Sequence, residues 1–225
     1  MSSNFPRFIH NVAEHNKALR LSIEPHLSKT CLIFGNGPSC SHANPNLENT
    51  FVCRTNWFFL EDEPKFGKVV DAYFCGIYNQ EMIRQLESSK YQIKRFFAPF
   101  NIFANPTIND YLYRTPITSS YSHWSLIAEN FRIGKEFIKR PLPTQGIQMI
   151  ATAAVLGFKH IEIYGIDFYQ GSGNRYCYSQ NEKSLQALET KDIQPGYEAN
   201  HSIETDKNIL CLIREEFPDT TIHFN

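Results

Sequence analysis

Apolar residues fall in short blocks along this chain, and the blocks alternate between two rhythms. Thr30–Phe34 is an unbroken apolar run that ends in Gly-Asn-Gly-Pro-Ser, the pattern of a buried strand entering a turn. Thr50–Arg54 and Val69–Cys75 repeat it, and a further strand is predicted near Ile93–Ala98. Lys159–Gly165 alternates its faces, and Thr221–Phe224 closes the chain as a strand. Between these runs the period changes. Asn11–Pro25 sets Val12, Leu19 and Leu21 among helix-forming residues, and Gln80–Ser89 reads as a second helix. His123–Lys139 spaces Leu126, Ile127, Phe131, Ile133 and Phe137 as a helix face does. Thr144–Leu156 is a helix apolar nearly all round, closed by Gly157 as a C-cap, and His201–Phe217 is the last helix. Residues 101–120 show no clear period, and residues 171–200 are polar.

This alternation predicts an α/β chain: a single Rossmann-like, doubly wound domain with a mostly parallel sheet. Residues 30–225 form that domain, and residues 1–29 precede it as a helical extension. No internal repeat or low-complexity tract interrupts it. At 225 residues and 42% hydrophobic content, such a domain buries a core without covalent staples.

Charge narrows the function. There are 22 Lys+Arg against 23 Asp+Glu, with no basic run, which argues against nucleic acid as a partner and against a polybasic membrane patch. No apolar window is long enough to span a membrane, and the first ten residues lack a signal-peptide core. The six cysteines lie far apart without a C-x-x-C pair, so they read as reduced thiols of a cytoplasmic protein and not as zinc ligands. Neither a metal nor a cofactor is expected.

Candidate chemistry begins at the turn Gly35-Asn36-Gly37-Pro38-Ser39. It follows the first strand, where open α/β sheets place ligands, and its glycines let backbone approach a ligand closely. Cys40 stands where a dinucleotide fingerprint needs its third glycine, which disfavours NAD, and a plain tight turn is the competing reading. Asn56, just past the second strand, offers an amide donor and acceptor to a base or sugar, or else caps a loop. The cluster Glu61-Asp62-Glu63 has metal-binding character, but Pro64 and Lys65 beside it favour a solvated turn. Asp167, Phe168 and Tyr169 emerge from a strand onto the ligand rim, with Tyr176 shortly after. Tyrosine hydroxyls suit a phosphate leaving group, since they donate hydrogen bonds without a charge change. His201 sits at a helix start, whose partial positive charge disfavours imidazolium, and a neutral histidine is what a general base requires.

The order of these segments resembles the bacterial lipooligosaccharide sialyltransferases of glycosyltransferase family 42. The matching stretches are Phe34–Ser39, Cys53–Asp62, Thr144-Gln145-Gly146, Ala154–Gln170, and Asn200-His201-Ser202 with Thr205-Asp206. The resemblance implies a GT-A-like variant of the fold and an inverting, metal-independent transferase. Its donor would be CMP-N-acetylneuraminic acid, and its acceptor a galactose- or sialic-acid-terminated surface glycan. His201 then matches the general base, and Tyr169 and Tyr176 match the hydroxyls on the departing phosphate. Gly35, Asn36, Gly37, Ser39, Asn56, Thr144, Gln145 and Gly146 line the donor, with Asp167 and Phe168 near the nucleotide base. Residues 171–200 become a lid that excludes water. Family members are often tetramers and associate peripherally with the inner membrane, so the resemblance implies both, although this chain stops soon after its last strand. Two positions depart from the family's Arg-x-Thr-Ser-Gly pattern: Leu142 replaces the Arg, with Arg140 nearest, and Gln145 replaces the Ser. Another CMP-activated keto sugar acid as donor, or a non-catalytic nucleotide-sugar-binding domain, are the competing readings.

Overall fold

Thr30–Phe34 (β1) and Thr50–Thr55 (β2) lie side by side and parallel at the centre of the sheet, each nearly all buried. Strands covered on both faces tolerate no polar alternation, which is why these two read as continuous apolar runs. The computed structural model describes residues 12–76, 80–99, 103, 105–115, 117, 119–168 and 201–225. From β2 the sheet grows outward through Ala72–Phe74 (β4), Arg95–Phe97 (β6) and Ser119–Tyr121 (β7). From β1 it grows the other way, through His160–Tyr164 (β8) and Thr221–Phe224 (β9). The strand order is β7-β6-β4-β2-β1-β8-β9, and every neighbouring pair is parallel. The order in which successive strands join the sheet therefore reverses between β1 and β8, the switch point of a doubly wound sheet. The α/β, parallel expectation is borne out.

Four details differ from the sequence reading. The run Val69–Cys75 is two strands, Val69–Val70 (β3) and β4, and the run near Ile93 is likewise Gln92–Ile93 (β5) and β6. β3 and β5 pair with each other in a separate two-stranded sheet. Asp71 is the break: its carboxylate accepts from Val52 N at 2.9 Å, and its own amide donates to Val52 O. Residues 101–120, read as without period, contain Pro106–Arg114 as a helix, with the Asn105 side chain accepting from Thr107 N. Asn followed by Pro is an N-cap and N1 signal that the apolar period alone does not show. Finally, the helix predicted over His123–Lys139 is two, His123–Ile127 and Phe131–Phe137, because the Asn130 side chain caps the second by accepting from Ile133 N. That restart turns Phe131 outward, 79% exposed, against its expected place in the core.

Numbering helices in chain order, Val12–Ile23 is α1, Gln80–Glu87 α2 and Pro106–Arg114 α3. His123–Ile127 is α4, Phe131–Phe137 α5, Gln145–Leu156 α6 and Ile203–Glu216 α7. One sheet face carries Cys31, Ile33, Phe51, Cys53, Phe74 and Phe97, covered by α1, α4, α5, α6 and α7. α6 is buried on all sides from Ile147 to Leu156, which explains its uniform apolarity, and it ends at Gly157 with φ 103°. Leu19 and Ile23 of α1 belong to this same core. The other face carries Tyr73 and Phe96, packed on Phe58, Met82 and Ile108. No helix among the described residues is long and apolar enough to cross a membrane.

Glu61, read as part of a solvated turn, instead meets a buried cation. Arg54 Nη1 and Nη2 each reach a Glu61 carboxylate oxygen at 3.0 Å, with the side chains 1% and 8% exposed. The guanidinium also lies over the Phe58, Phe66 and Phe34 rings, 4.7, 5.2 and 5.5 Å from their centroids, and Tyr91 Oη donates to Glu61. Removing one member of a buried pair leaves the other charge without compensation, at a cost of about 3–5 kcal/mol. Glu61→Ala is therefore expected to lower the unfolding free energy by about that amount in urea titration. Glu63→Ala, at a side chain 90% exposed, should change it by less than about 0.5 kcal/mol.

Candidate active site

The crevice at the switch point is built by two turns in direct contact. Gly35 N donates to Tyr164 O at 2.8 Å, and Gly37 N donates to Gly165 O at 2.9 Å. A Cβ on Gly35 would overlap the Gly165 carbonyl oxygen, and one on Gly37 would overlap the Asp167 carboxylate. Gly165 itself holds φ 69°, in the left-handed region that glycine adopts without strain. The two glycines of the first turn are thus required by the second turn, whatever ligand they also serve.

Ser39 and Asp167 lock the same pair of turns. Asp167 Oδ2 accepts from Ser39 N at 2.9 Å, Asp167 Oδ1 accepts from Ser39 Oγ, and that oxygen accepts from Gly165 N at 3.2 Å. Phe168, with φ 49°, packs on Phe224 with ring centroids 5.9 Å apart. Asn36 Nδ2 donates to Thr55 O at 3.0 Å, which ties the β1 turn to the end of β2. Asn56 takes the left-handed conformation, φ 47°, which asparagine tolerates better than most residues. Its Oδ1 accepts from Gly76 N at 2.9 Å, joining the ends of β2 and β4.

The N-terminus of α6 completes the floor. A Cβ on Gly146 would press on Ile166, just beyond β8, and one on Gly76 would overlap the Gln145 amide. Gly35, Asn36, Gly37, Ser39, Asn56, Gln145, Gly146 and Asp167 are therefore brought together at the carboxyl ends of β1, β2, β4 and β8. Asn36 Oδ1 and Gln145 Nε2 are buried there with no hydrogen-bond partner among the described residues. Buried polar atoms are nearly always paired, so an acceptor and a donor are left for a ligand. The first turn of α6 has no acidic side chain, and a helix N-terminus favours an anion.

His201 stands two residues before the first residue of the helix it was expected to begin. Ser202 is the cap of α7, accepting from Thr205 N at 3.0 Å. The His201 ring meets Leu142 O at 2.8 Å through Nδ1. A carbonyl only accepts, so Nδ1 carries the proton and the lone pair of the neutral ring sits on Nε2. Leu142 is the position where the resemblance leads one to expect Arg, and its contribution here is a backbone one.

Thr144 has a different surrounding from the one expected. Its amide and its hydroxyl both donate to Asp206, N to Oδ1 at 2.8 Å and Oγ1 to Oδ2 at 2.7 Å. Burial pushes the Asp206 carboxyl up, opposed by the two bonds from Thr144 and, least, by the nearby His201 ring. Asp206 carried no assigned role in the sequence reading, yet it has a signal: with Ile209, Leu210 and Ile213 it completes the buried stripe of α7. Gly76, Gln148 and His123 were also missed. Gln148 Nε2 donates to Pro143 O at 2.9 Å, while its Oε1 accepts from His123 Nε2 at 2.7 Å and Trp124 Nε1 at 2.9 Å. Tyr169, Tyr176 and the lid 171–200 lie outside the described residues.

This geometry defines an open parallel α/β sheet with two interlocked turns at its switch point and a histidine held against the segment that leads into α6. The comparisons with known proteins make the class more particular. Residues 120–222 match the family model described as alpha-2,3-sialyltransferase (CST-I), so the resemblance read from the motifs is borne out. The fold is similar to that of the Campylobacter jejuni sialyltransferase CstII with cytidine-5'-monophosphate: TM-score 0.63, 22% identity, covering 88% of this chain and 79% of that one. The C. jejuni monofunctional alpha-2,3-sialyltransferase Cst-I gives TM-score 0.62 and 24% identity, covering 87% and 75%. CstII with a trisaccharide acceptor and CMP gives 0.60 and 23%, covering 87% and 80%. The fold is thus the GT-A-like one of these enzymes. An uncharacterized protein of Haemophilus influenzae is 32% identical over 108 residues, which span 48% of this chain and 42% of that relative.

The His123 ring is fully buried, and burial pushes it down from 6.5 to about 4. Between those values the unfolded chain binds a proton that the folded chain does not, so stability falls as pH falls through this window. The slope is about 1.4 kcal/mol per pH unit from this one group. Burial lowers His15 and His26 too, in the same direction. Urea midpoints taken between pH 7 and pH 5 should show the loss, and His123→Gln should reduce the slope by roughly one proton. An unchanged slope would show that His123 is not the buried neutral ring described.

Proposed function

We propose that this chain is an inverting sialyltransferase that moves N-acetylneuraminic acid from CMP-N-acetylneuraminic acid to a hydroxyl of a galactose- or sialic-acid-terminated glycan. The observation that carries the reading is the tautomer of His201. With Nδ1–H held by Leu142 O, Nε2 accepts the acceptor's hydroxyl proton as its oxygen attacks the anomeric carbon. The bond from that carbon to the phosphate oxygen breaks, and CMP departs with the electron pair. Because CMP leaves as an already ionised phosphate, no carboxylic acid is needed to protonate it, and Glu61 stays paired with Arg54.

In this reading Tyr169 and Tyr176 hydrogen-bond the departing phosphate, and residues 171–200 close over the donor. Asn36 Oδ1 and Gln145 Nε2 supply the unmet acceptor and donor, and the α6 N-terminus faces the anion. The reaction needs no metal, and the protein is a cytoplasmic, peripheral homo-oligomer serving lipooligosaccharide synthesis. Gln145 in place of Ser and Leu142 in place of Arg both fall along the donor sugar. They favour, as a second reading, a different CMP-activated keto sugar acid as donor.

Incubation with CMP-N-acetylneuraminic acid and lactose, in the presence of a chelator, should release CMP and form sialyllactose. No CMP release from any CMP-sugar would sink the transferase reading, and release only from another CMP-keto acid would select the second. His201→Ala should lower transfer by about 10²- to 10⁴-fold, the usual share of a general base, with CMP binding retained. Equal loss of transfer and binding would make His201 structural.

A further inference from the structure

We infer that Thr144 and Asp206 are not donor ligands but a clamp that holds the segment carrying the acceptor carbonyl of His201, so that both act as positioning residues for the base. The inference rests on the reading of His201 as that base.

Two bridges join the same two segments. Residues 142–144 and 201–206 meet through Leu142 O with His201 Nδ1, and through Thr144 N and Oγ1 with the two oxygens of Asp206. The second bridge is rigidly related to the first, because Asp206 N donates to Ser202 O in the opening turn of α7, one residue from His201. From the other side α6 fixes the segment: Gln148 Nε2 holds Pro143 O, and Gln148 N donates to Thr144 O at 3.0 Å. Leu142 O, Pro143 O, Thr144 N and Thr144 O are thus each tied to α6 or to residues 201–206. A displacement of this segment carries Leu142 O with it, and with it the atom that keeps the His201 proton on Nδ1.

The energetics argue that the carboxylate is there for a purpose beyond packing. Asp206 is 0% exposed and occupies a stripe otherwise filled by Ile209, Leu210 and Ile213. Taking a carboxylate out of water is costly even when paired, and an apolar side chain at such a position is often neutral or stabilising. What Leu could not do is accept two bonds from Thr144 beside a ring that becomes positive during the reaction. The Thr144 hydroxyl, for its part, has its one proton spent on Asp206 and is buried, which leaves it no donor for a sugar.

Thr144→Val removes one of the two bonds while keeping the backbone one, and Thr144→Ser keeps both. Thr144→Val and Asp206→Asn should lower kcat by about 10- to 100-fold, as a misplaced catalytic group does, with the donor KM within about twofold of the native value. Thr144→Ser should recover most of kcat. A raised donor KM with kcat retained would make Thr144 a donor ligand and overturn the clamp. Long-range proton–nitrogen NMR of the His201 ring gives a readout independent of turnover. The native ring should show a single Nδ1–H tautomer, and Thr144→Val and Asp206→Asn a mixture. Mixed tautomers in a chain whose wild type transfers no CMP-sugar would sink the proposed reaction and leave the clamp standing. An unmixed tautomer in both variants would overturn the clamp, including where their melting temperature falls, since that outcome belongs to a purely structural pair.

Discussion

Everything at the candidate site depends on how closely the turn after β1 approaches the turn after β8. Two backbones meet there with no room for a Cβ between Gly35 and the Gly165 carbonyl. The amide of Gly37 is spent on that same carbonyl, and Asp167 closes the gap by taking both the amide and the hydroxyl of Ser39. A parallel sheet that reverses its winding between two adjacent strands leaves a crevice at their carboxyl ends. Here the two turns at that point are fixed to one another by main-chain bonds. Asn36, Asn56 and the α6 N-terminus inherit their positions from that contact. Most of the polar groups in these turns are spent on each other, and the few that are not become informative for that reason.

The second constraint is the polar stitching of residues 142–144. A segment wedged between a largely apolar helix and α7 has little water to satisfy its backbone, so each buried amide and carbonyl there needs a protein partner. Gln148 and Asp206 supply them, and both are polar side chains set in otherwise apolar helix faces. His123 is held in the same network and is driven neutral by the burial that the network requires. The bonds that make burial of this segment tolerable also hold the carbonyl that meets His201 Nδ1.

Much of this was legible in the sequence because apolar rhythm reports burial directly. The runs over β1 and β2, the evenly apolar α6 with Gly157 at its end, and the Gly-Asn-Gly turn after β1 all sit where the pattern put them. The pattern was weaker where a side chain, and not a rhythm, ends an element. Asp71 splits one strand by bonding across to Val52, and Asn130 restarts a helix in the middle of a continuous apolar series. Partnership was not legible at all. Glu61 in its acidic cluster looks solvated until Arg54, seven residues away, turns out to be buried against it. That Thr144 gives both of its donors to a carboxylate 62 residues on could not be read from the sequence either.

The replacement of Arg by Leu142 separates two requirements that a side chain at that position could otherwise confuse. Orientation of the base needs only a carbonyl oxygen at hydrogen-bond distance from Nδ1, and any residue supplies one provided its backbone is held. Recognition of an anionic sugar needs a charge or a directed donor, and a leucine supplies neither. The geometry around His201 meets the first requirement at 2.8 Å, so the substitution leaves the orientation of the proposed base intact. On the proposed reading, the second requirement has to be met elsewhere. Among the described residues, the group beside this segment with a donor still to give is the buried amide of Gln145, the other position at which the chain departs from the family pattern. An amide is longer than the serine hydroxyl it replaces and offers two donors on a plane, and its oxygen here is already seated against Gly76. The two departures are therefore best understood together: a guanidinium and a hydroxyl exchanged for one oriented amide, with the demand for a well-placed backbone at residue 142 unchanged.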